Sequence, residues 1–182
     1  MKIGICTAIL FVPVIYGLIE GGFLESVDLY FRKFEFNGSI YYLARAIGEF
    51  ISGYNLIAYI GPGLFLIFVV LSFRRWKKYN GEASLHSFIK DSEFVLVSYF
   101  LISTIVHPWY TIGLIGLNVF LQRKYIILWT YLITLTYINY SYSPYAENLW
   151  VVFVEYSMVL FVFLVEKYFH RLFNQKSVLE EG

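Results

Sequence analysis

The chain has 182 residues, of which 59% are hydrophobic, 21% are aromatic and only 15% are charged, and its formal net charge is +1. Soluble domains usually have about 45–50% apolar and about 25% charged residues, and a chain this short has too much surface to hide such an apolar excess from water. The composition therefore predicts an all-α, polytopic transmembrane helix bundle, and the small net charge gives no reason to expect a nucleic-acid partner.

Six hydrophobic segments along the chain predict about six membrane spans. They cover residues 3–19, 54–73, 94–106, 111–121, 125–140 and 150–165. A helix needs roughly 20 residues to cross a bilayer core, so the fourth segment is short. The first segment follows a weak positive start at Lys2 but lacks a good small-residue cleavage pattern, and we expect an uncleaved span.

The basic residues predict the orientation of these spans, because Lys and Arg concentrate in cytoplasmic loops. With six spans and both termini in the cytoplasm of a bacterial inner (plasma) membrane, eleven of the 14 Lys and Arg residues lie inside. The three on the outside are Arg32, Lys33 and Arg45. We therefore expect one transmembrane domain over 1–182, with an outer loop at 21–52 and a cytoplasmic tail at 169–182.

The outer loop contains a predicted amphipathic helix at about 39–51. Ile40, Leu43 and Ile47 recur at helical spacing among polar residues, which is typical of a helix that lies in the interface of a membrane. Ser39 is a suitable N-cap for this helix. We expect the helix on the outer face.

Three clusters of polar and aromatic residues fall on the predicted outer face, at 31–39, 107–110 and 140–148. In the second, "HPWY", Pro108 suits the first turn of a helix, where its missing N–H costs nothing. His107 precedes that helix start and can bind a phosphate or carry a proton. The alternative is a simple proline turn with interfacial aromatic residues. We expect the third helix to end at 104–106, just before the proline.

Four stretches, taken in order, resemble a known family. They are "FRKFEFNGSIYYLARAIG", "GYNLIAYIGP", "STIVHPWYTIGLIGL" and "YSPYAENLWVVFVEY". Over about 29–156 the chain resembles the C-terminal half of bacterial (Bacteroidetes-type) polyprenol-phosphate-sugar-dependent mannosyltransferases of the GT-C superfamily of integral-membrane glycosyltransferases. "HPWY" is the most specific of these motifs.

The resemblance implies a mannosyltransferase-like enzyme of cell-envelope glycan biosynthesis. Such enzymes take a sugar from a polyprenyl-phosphate donor at the non-cytoplasmic face and pass it to a glycan or lipid-linked acceptor. Family members are about twice this length, and their catalytic acidic residue lies in an N-terminal outer loop that has no counterpart here. The catalytic residue is therefore unknown, and a truncated product, a fragment and one half of a split enzyme with a separate N-terminal partner remain alternatives.

The candidate substrate-binding residues come from the three outer clusters. For the donor phosphate they are His107 and Arg45, and for an acceptor sugar Glu35 and Asn37. Trp109, Tyr110, Tyr145 and Glu147 complete the set around the mouth of the site. Several alternatives remain open: Arg45 can pair with Glu35 or Glu49, and "FEFN" can be a turn that seats the following helix.

Glu155 lies within the last apolar segment, where a carboxyl should face the bundle interior. We expect it to be a buried hydrogen-bonding group, with Asn139, Tyr137 or Asn118 as partner.

The sequence predicts no metal site and no certain cofactor. Its one cysteine excludes an internal disulfide, and its three histidines never approach a metal-ligand spacing. A non-catalytic polytopic subunit or lipid-binding scaffold is the alternative to the enzyme. A transporter ranks below both, since Glu155 is the one charge expected at membrane depth.

Overall fold

The computed structural model describes residues 13, 16–18, 22–78, 84–143 and 146–180, and this part of the chain is all-helical. The α-helices discussed below are α1 (Gly22–Arg32), α2 (Ile40–Ser52), α3 (Ile57–Lys77), α4 (Leu85–Ile102), α5 (Ile112–Leu121), α6 (Lys124–Leu132) and α7 (Leu149–Glu180). Two 3₁₀ helices, Pro108–Thr111 and Ile133–Ser141, precede α5 and follow α6. Most of the predicted first span lies outside the described residues.

Two helices are long and apolar enough to cross a membrane. These are α3, with a mean hydropathy of 1.9, and the part of α7 from Leu149 to Phe169, with a mean hydropathy of 2.0. Only 6% and 17% of these segments are buried in the protein, so they are not the core helices of a water-soluble fold. They coincide with the second and sixth predicted spans, whereas the other four spans stay predictions.

The other predicted spans differ from simple apolar helices. Helix α4 carries Lys90, Asp91 and Glu93 in its first half, and α5 has only 10 residues. The predicted fifth span is divided at Leu132, where the α-helix gives way to a 3₁₀ helix. The predicted tail is helical in its backbone as far as Glu180.

The expectation that the third helix extends to 104–106 is wrong. Helix α4 ends at Ile102, and Ser103 has an extended backbone with φ −62° and ψ 147°. The Ser103 hydroxyl stabilises this turn because it donates to the carbonyl of Ile105 at 2.8 Å and accepts from the Ile105 amide at 3.2 Å. The segment from Ser103 to His107 is thereby freed from the helix and can bond to another part of the chain.

The buried core consists of two apolar clusters. The larger one is formed by α4, α5, α6 and α7 around Trp129, which is only 1% exposed. The smaller one joins α2, α3 and the end of α4 through Tyr41, Leu64 and Ile102. Together they hold the segment before α2 against the end of α4.

Helix α2 confirms the predicted helix, and its apolar face is largely uncovered. Phe50 is 90% exposed, and Leu43 and Ile47 are also exposed, whereas Tyr41 is fully buried. The position of this helix in a membrane interface stays a prediction. Ser39 occupies the N-cap position as predicted, but its hydroxyl makes no cap bond and donates instead to the carbonyl of Leu101 at 2.8 Å.

Candidate functional site

Asn37 is the centre of a buried polar network that joins the start of α2 to α7. Its backbone has a positive φ of 52°, a conformation that asparagine tolerates better than most residues. The Asn37 amide donates to Oε1 of Glu147 at 2.6 Å, and its side-chain Nδ2 donates to both oxygens of Glu155 at 3.2 Å. The hydroxyl of Tyr156 donates to the Asn37 carbonyl at 2.8 Å. One residue thus contacts three side chains from the last part of the chain.

Glu155 is completely buried, as expected, but its predicted partners are wrong. Its carboxylate accepts from Nδ2 of Asn37 and from the indole Nε1 of Trp129, the latter at 2.9 Å. Asn118 instead bonds to the backbone of Arg123, and Asn139 accepts from the amide of Asn148. Tyr137 is half exposed, and its ring contacts Tyr140.

A short parallel backbone pairing joins "FEFN" to the segment before "HPWY". The amide of Phe36 donates to the Thr104 carbonyl at 3.0 Å, and the amide of Val106 donates to the Phe36 carbonyl at 2.8 Å. This pairing requires the extended backbone that follows Ser103. It brings two motifs that are 70 positions apart in the sequence into direct contact.

His107 lies in an aromatic cluster built by both motifs. Its ring stacks on Trp109 with a centroid distance of 4.2 Å and contacts Phe36 at 4.6 Å and Tyr110 at 5.4 Å. Its Nδ1 is buried and has no hydrogen-bond partner among the described residues. Burial lowers the pKa of His107. The imidazole is therefore neutral at pH 7 and retains one unused polar atom in the cluster.

Arg45 is held by two carboxylates. Its Nη1 donates to Oε1 of Glu35 at 2.7 Å, and its Nε donates to Oε1 of Glu49 at 2.9 Å. The other Glu35 oxygen accepts from the Tyr41 hydroxyl at 2.5 Å and from the Asn55 amide at 3.3 Å. These contacts agree with the ion-pair alternative for Arg45, whereas its contact with a phosphate stays a prediction.

Glu147 links Tyr42 of helix α2 to Asn37. Its Oε2 accepts a hydrogen bond from the Tyr42 hydroxyl, while Oε1 accepts from the Asn37 amide. Burial raises the pKa of the Glu147 carboxyl, although these two bonds oppose the shift. Burial and the nearby Glu147 charge also raise the pKa of Tyr42, so the phenol keeps its proton and donates.

The structure brings seven of the eight predicted site residues to one region of the protein. They are Glu35, Asn37, Arg45, His107, Trp109, Tyr110 and Glu147. Tyr145 lies outside the described residues. Trp109 is 50% exposed and provides an aromatic face at the surface of the cluster.

Sequence reasoning missed the roles of Tyr41, Tyr42, Trp129 and Tyr156 in the site. The adjacent tyrosines four and five positions after Asn37 were a usable signal, since a tyrosine at a helix start can reach a carboxylate of the preceding turn. Among the described residues, no group of three His, Cys, Asp or Glu side chains is arranged to hold a metal ion. The described site combines carboxylates, phenols and aromatic rings with the amide of Asn37, the guanidinium of Arg45 and the imidazole of His107.

Comparisons with protein-family models, curated proteins and solved structures found no match to this chain. The function is therefore inferred from the residues and their geometry.

Proposed function

We propose that the chain is a module of an integral-membrane glycosyltransferase that moves a sugar from a polyprenyl-phosphate donor to a glycan or lipid-linked acceptor at the non-cytoplasmic face. The contact of "FEFN" with "HPWY" and Glu147 is the observation that carries this proposal. These are the motifs that resemble the mannosyltransferases, and they come from three distant parts of the sequence. Their convergence supports a shared binding site.

The side chains of this cluster suit a sugar. Trp109 offers a half-exposed aromatic face, and ligand sites combine such faces with a few well-placed polar groups. The carboxylates of Glu35 and Glu147 are acceptors for hydroxyl groups. We assign Trp109 and Tyr110 to stacking on the sugar ring and the two carboxylates to its hydroxyls.

His107 suits the donor phosphate better than Arg45 does. The guanidinium of Arg45 is already paired with Glu35 and Glu49, whereas Nδ1 of His107 is unused. A neutral imidazole has one N–H donor, and in the tautomer with the proton on Nδ1 that donor can bind a phosphate oxygen. We assign this contact to His107 and a structural role to Arg45.

The proposed transfer is a single displacement at the anomeric carbon. The acceptor oxygen forms a bond to that carbon, the bond from the carbon to the phosphate oxygen breaks, and the phosphate leaves with the electron pair. A base removes the proton of the acceptor hydroxyl. In the resembled family this base is an acidic residue of an N-terminal loop, and we assign that role to no residue of this chain. This chain then contributes positioning of the substrates.

Donor binding tests the proposal in the chain itself. The full chain in lipid nanodiscs should bind a polyprenyl-phosphate mannose more tightly than the same polyprenyl phosphate without sugar. Trp109→Ala should remove that preference, and His107→Phe should weaken the binding of both lipids. Trp150→Ala is the matched control, because Trp150 is exposed and lies outside the cluster. Equal binding of the two lipids by the unmodified chain would contradict the proposal.

A lipid-binding scaffold without catalysis is the second candidate. It is favoured by the excess of carboxylates in the cluster, where Glu35 and Glu49 pair with Arg45 whereas Glu147 and Glu155 bond to Asn37 and have no cationic partner among the described residues. An assay for transfer of radiolabelled sugar by membranes that contain this chain distinguishes the scaffold from the glycosyltransferase module. Sugar binding without transfer would favour the scaffold.

A further inference from the structure

A cavity lies between α3 and α4, at the end of α3 that carries the basic sequence "RRWKK". Its volume is about 820 Å³, within the range of about 300–1,000 Å³ that is common for ligand pockets. The apolar part of its lining comes from Trp76, Leu85, Phe88, Val95 and Leu96. Trp76, Leu85 and Phe88 are each more than 60% exposed, so this lining continues onto the surface.

Five polar residues interrupt the apolar lining, namely Ser72, Arg75, Ser84, Asp91 and Ser92. The Nε of Arg75 donates to Oδ1 of Asp91 at 2.6 Å, and the guanidinium lies over the ring of Phe94 at 5.3 Å. The hydroxyl of Ser72 is buried and has no partner among the described residues. Both Ser72 and Arg75 line the cavity, so an occupant meets an unused hydroxyl and a guanidinium.

The charge around the cavity is positive. Arg74, Lys77 and Lys78 are exposed near Arg75 in the sequence, whereas Asp91 is the one acidic residue among the described residues of the lining. Basic residues directly after a membrane-spanning helix attract anionic lipid headgroups. A guanidinium in particular recognises phosphate with paired N–H donors.

We propose that the groove between α3 and α4 binds an anionic phospholipid, with an acyl chain against Trp76, Phe88 and Leu96 and the phosphate at Arg75 and Ser72. The phosphate competes with Asp91 for Arg75. The basic run faces the cytoplasm in the predicted orientation, so the lipid comes from the inner leaflet. This groove is separate from the Asn37 network and does not depend on the proposed transfer of sugar.

Native mass spectrometry of the full chain, released from detergent with added lipid, tests this proposal. Phosphatidylglycerol should be retained about fivefold more than phosphatidylcholine of the same chain length, because both lipids carry the phosphate but the positively charged choline weakens the attraction of phosphatidylcholine to Arg75 and the basic run. Soluble glycerol phosphate should not compete, because it lacks the acyl chain. Equal retention of the two lipids would overturn the proposal, and so would full competition by glycerol phosphate.

Two charge variants act in opposite directions. Arg75→Gln should remove the preference for phosphatidylglycerol, whereas Asp91→Asn should increase its retention because the guanidinium loses its competing carboxylate. Lys124→Gln is the matched control, since it removes one exposed positive charge from the same predicted side but outside the groove. If Arg75→Gln behaves like Lys124→Gln, the phosphate does not bind at Arg75 and the proposal fails.

Filling the groove tests the acyl chain. Ser92→Trp places a large ring in the lining and should lower the retention of both lipids, with a greater loss for phosphatidylglycerol. Val95→Phe serves the same purpose with a smaller change in volume, should Ser92→Trp fail to fold. Unchanged retention in a folded filled variant would show that lipid binds elsewhere.

Discussion

The backbone amide of Asn37 donates a 2.6 Å hydrogen bond to the carboxylate of Glu147, which lies 110 positions later in the chain. The side-chain amide of Asn37 also donates to Glu155, which lies within α7. A charged acceptor makes these bonds stronger than bonds between neutral groups. Asn37 therefore joins the segment before α2 to the first turns of α7. Because Phe36 of the "FEFN" motif pairs with the segment before "HPWY", the same hydrogen bonds help to position both motifs.

Replacing Glu155 should destabilise the protein. Glu155→Ala leaves the donors of Asn37 and Trp129 buried without an acceptor, at a cost of about 1–3 kcal/mol each. Glu155→Gln should cost less, because its side-chain carbonyl can still accept from Trp129. Thermal unfolding in detergent, followed by circular dichroism, measures both effects. Ser157→Ala, at an exposed position of the same helix, is the control, and an equal effect of Glu155→Ala and Ser157→Ala would contradict a structural role for Glu155.

Gly38 should not tolerate a side chain. A Cβ at this position would lie 2.9 Å from Cδ1 of Tyr41 and 3.3 Å from the carbonyl oxygen of Thr104. Because that carbonyl accepts from Phe36, Gly38→Ala should weaken the pairing between the two motifs and lower the unfolding temperature. A Cβ at Gly63 in α3 meets nothing within 4 Å, so Gly63→Ala should be neutral or stabilising by up to about 1 kcal/mol. Comparable melting temperatures for the two variants would refute this account.

His107 should make stability depend on pH. Burial lowers its pKa in the folded protein below the reference value of 6.5, so the unfolded chain binds more protons. The free energy of unfolding should therefore fall as the pH drops from 6.5 towards the pKa of His107 in the folded protein. Below that pKa it should fall no further on account of His107. His107→Phe keeps a stacking ring and removes this proton site. The unfolding free energy of the two proteins, compared between pH 8 and pH 5, should diverge in the acid range, and parallel curves would exclude the effect.

Arg45 and Glu35 should be coupled. Their ion pair is partly buried, so a double-mutant cycle with Arg45→Gln and Glu35→Gln should give a coupling free energy near the upper end of the usual 0.2–1 kcal/mol for ion pairs, about 1 kcal/mol. Arg45→Lys should recover only part of it, because a lysine does not reproduce the fork that joins Glu35 and Glu49. Strictly additive effects of the two substitutions would argue that the pair has no energetic role.

The long apolar helices could be predicted from the sequence, and much of the remaining structure could not. The sequences of α3 and α7 are apolar over about 20 residues, and few structures other than a long apolar helix accommodate such a run. The seven described site residues were selected because they lie in three clusters of polar and aromatic residues between apolar segments, and the structure brings these clusters together, while their role in binding stays a prediction. Glu155 was correctly predicted as buried. Hydropathy carries no information about which polar residue bonds to it, so Asn37 and Trp129 were not predicted as its hydrogen-bond partners.

Local signals were also overruled by tertiary contacts. Ser39 precedes a helix and has the right side chain for a cap, yet the nearby carbonyl of Leu101 takes its hydroxyl. Helix α4 ends before the pre-proline residues because Ser103 bonds within its own turn and the following segment pairs with Phe36. The sequence pattern contains no sign of that pairing, since it depends on residues about 70 positions apart.

The distance between Asn37 and its acceptors also orders events during translation. A ribosome that adds about 5–20 residues per second completes Glu155 on the order of ten seconds after Asn37. During that interval the Asn37 segment has neither carboxylate to bond, so it is the stretch most open to chaperones and proteases. A chain that terminates before Glu147 should accordingly be cleared by quality control, however many of its earlier helices have already been inserted.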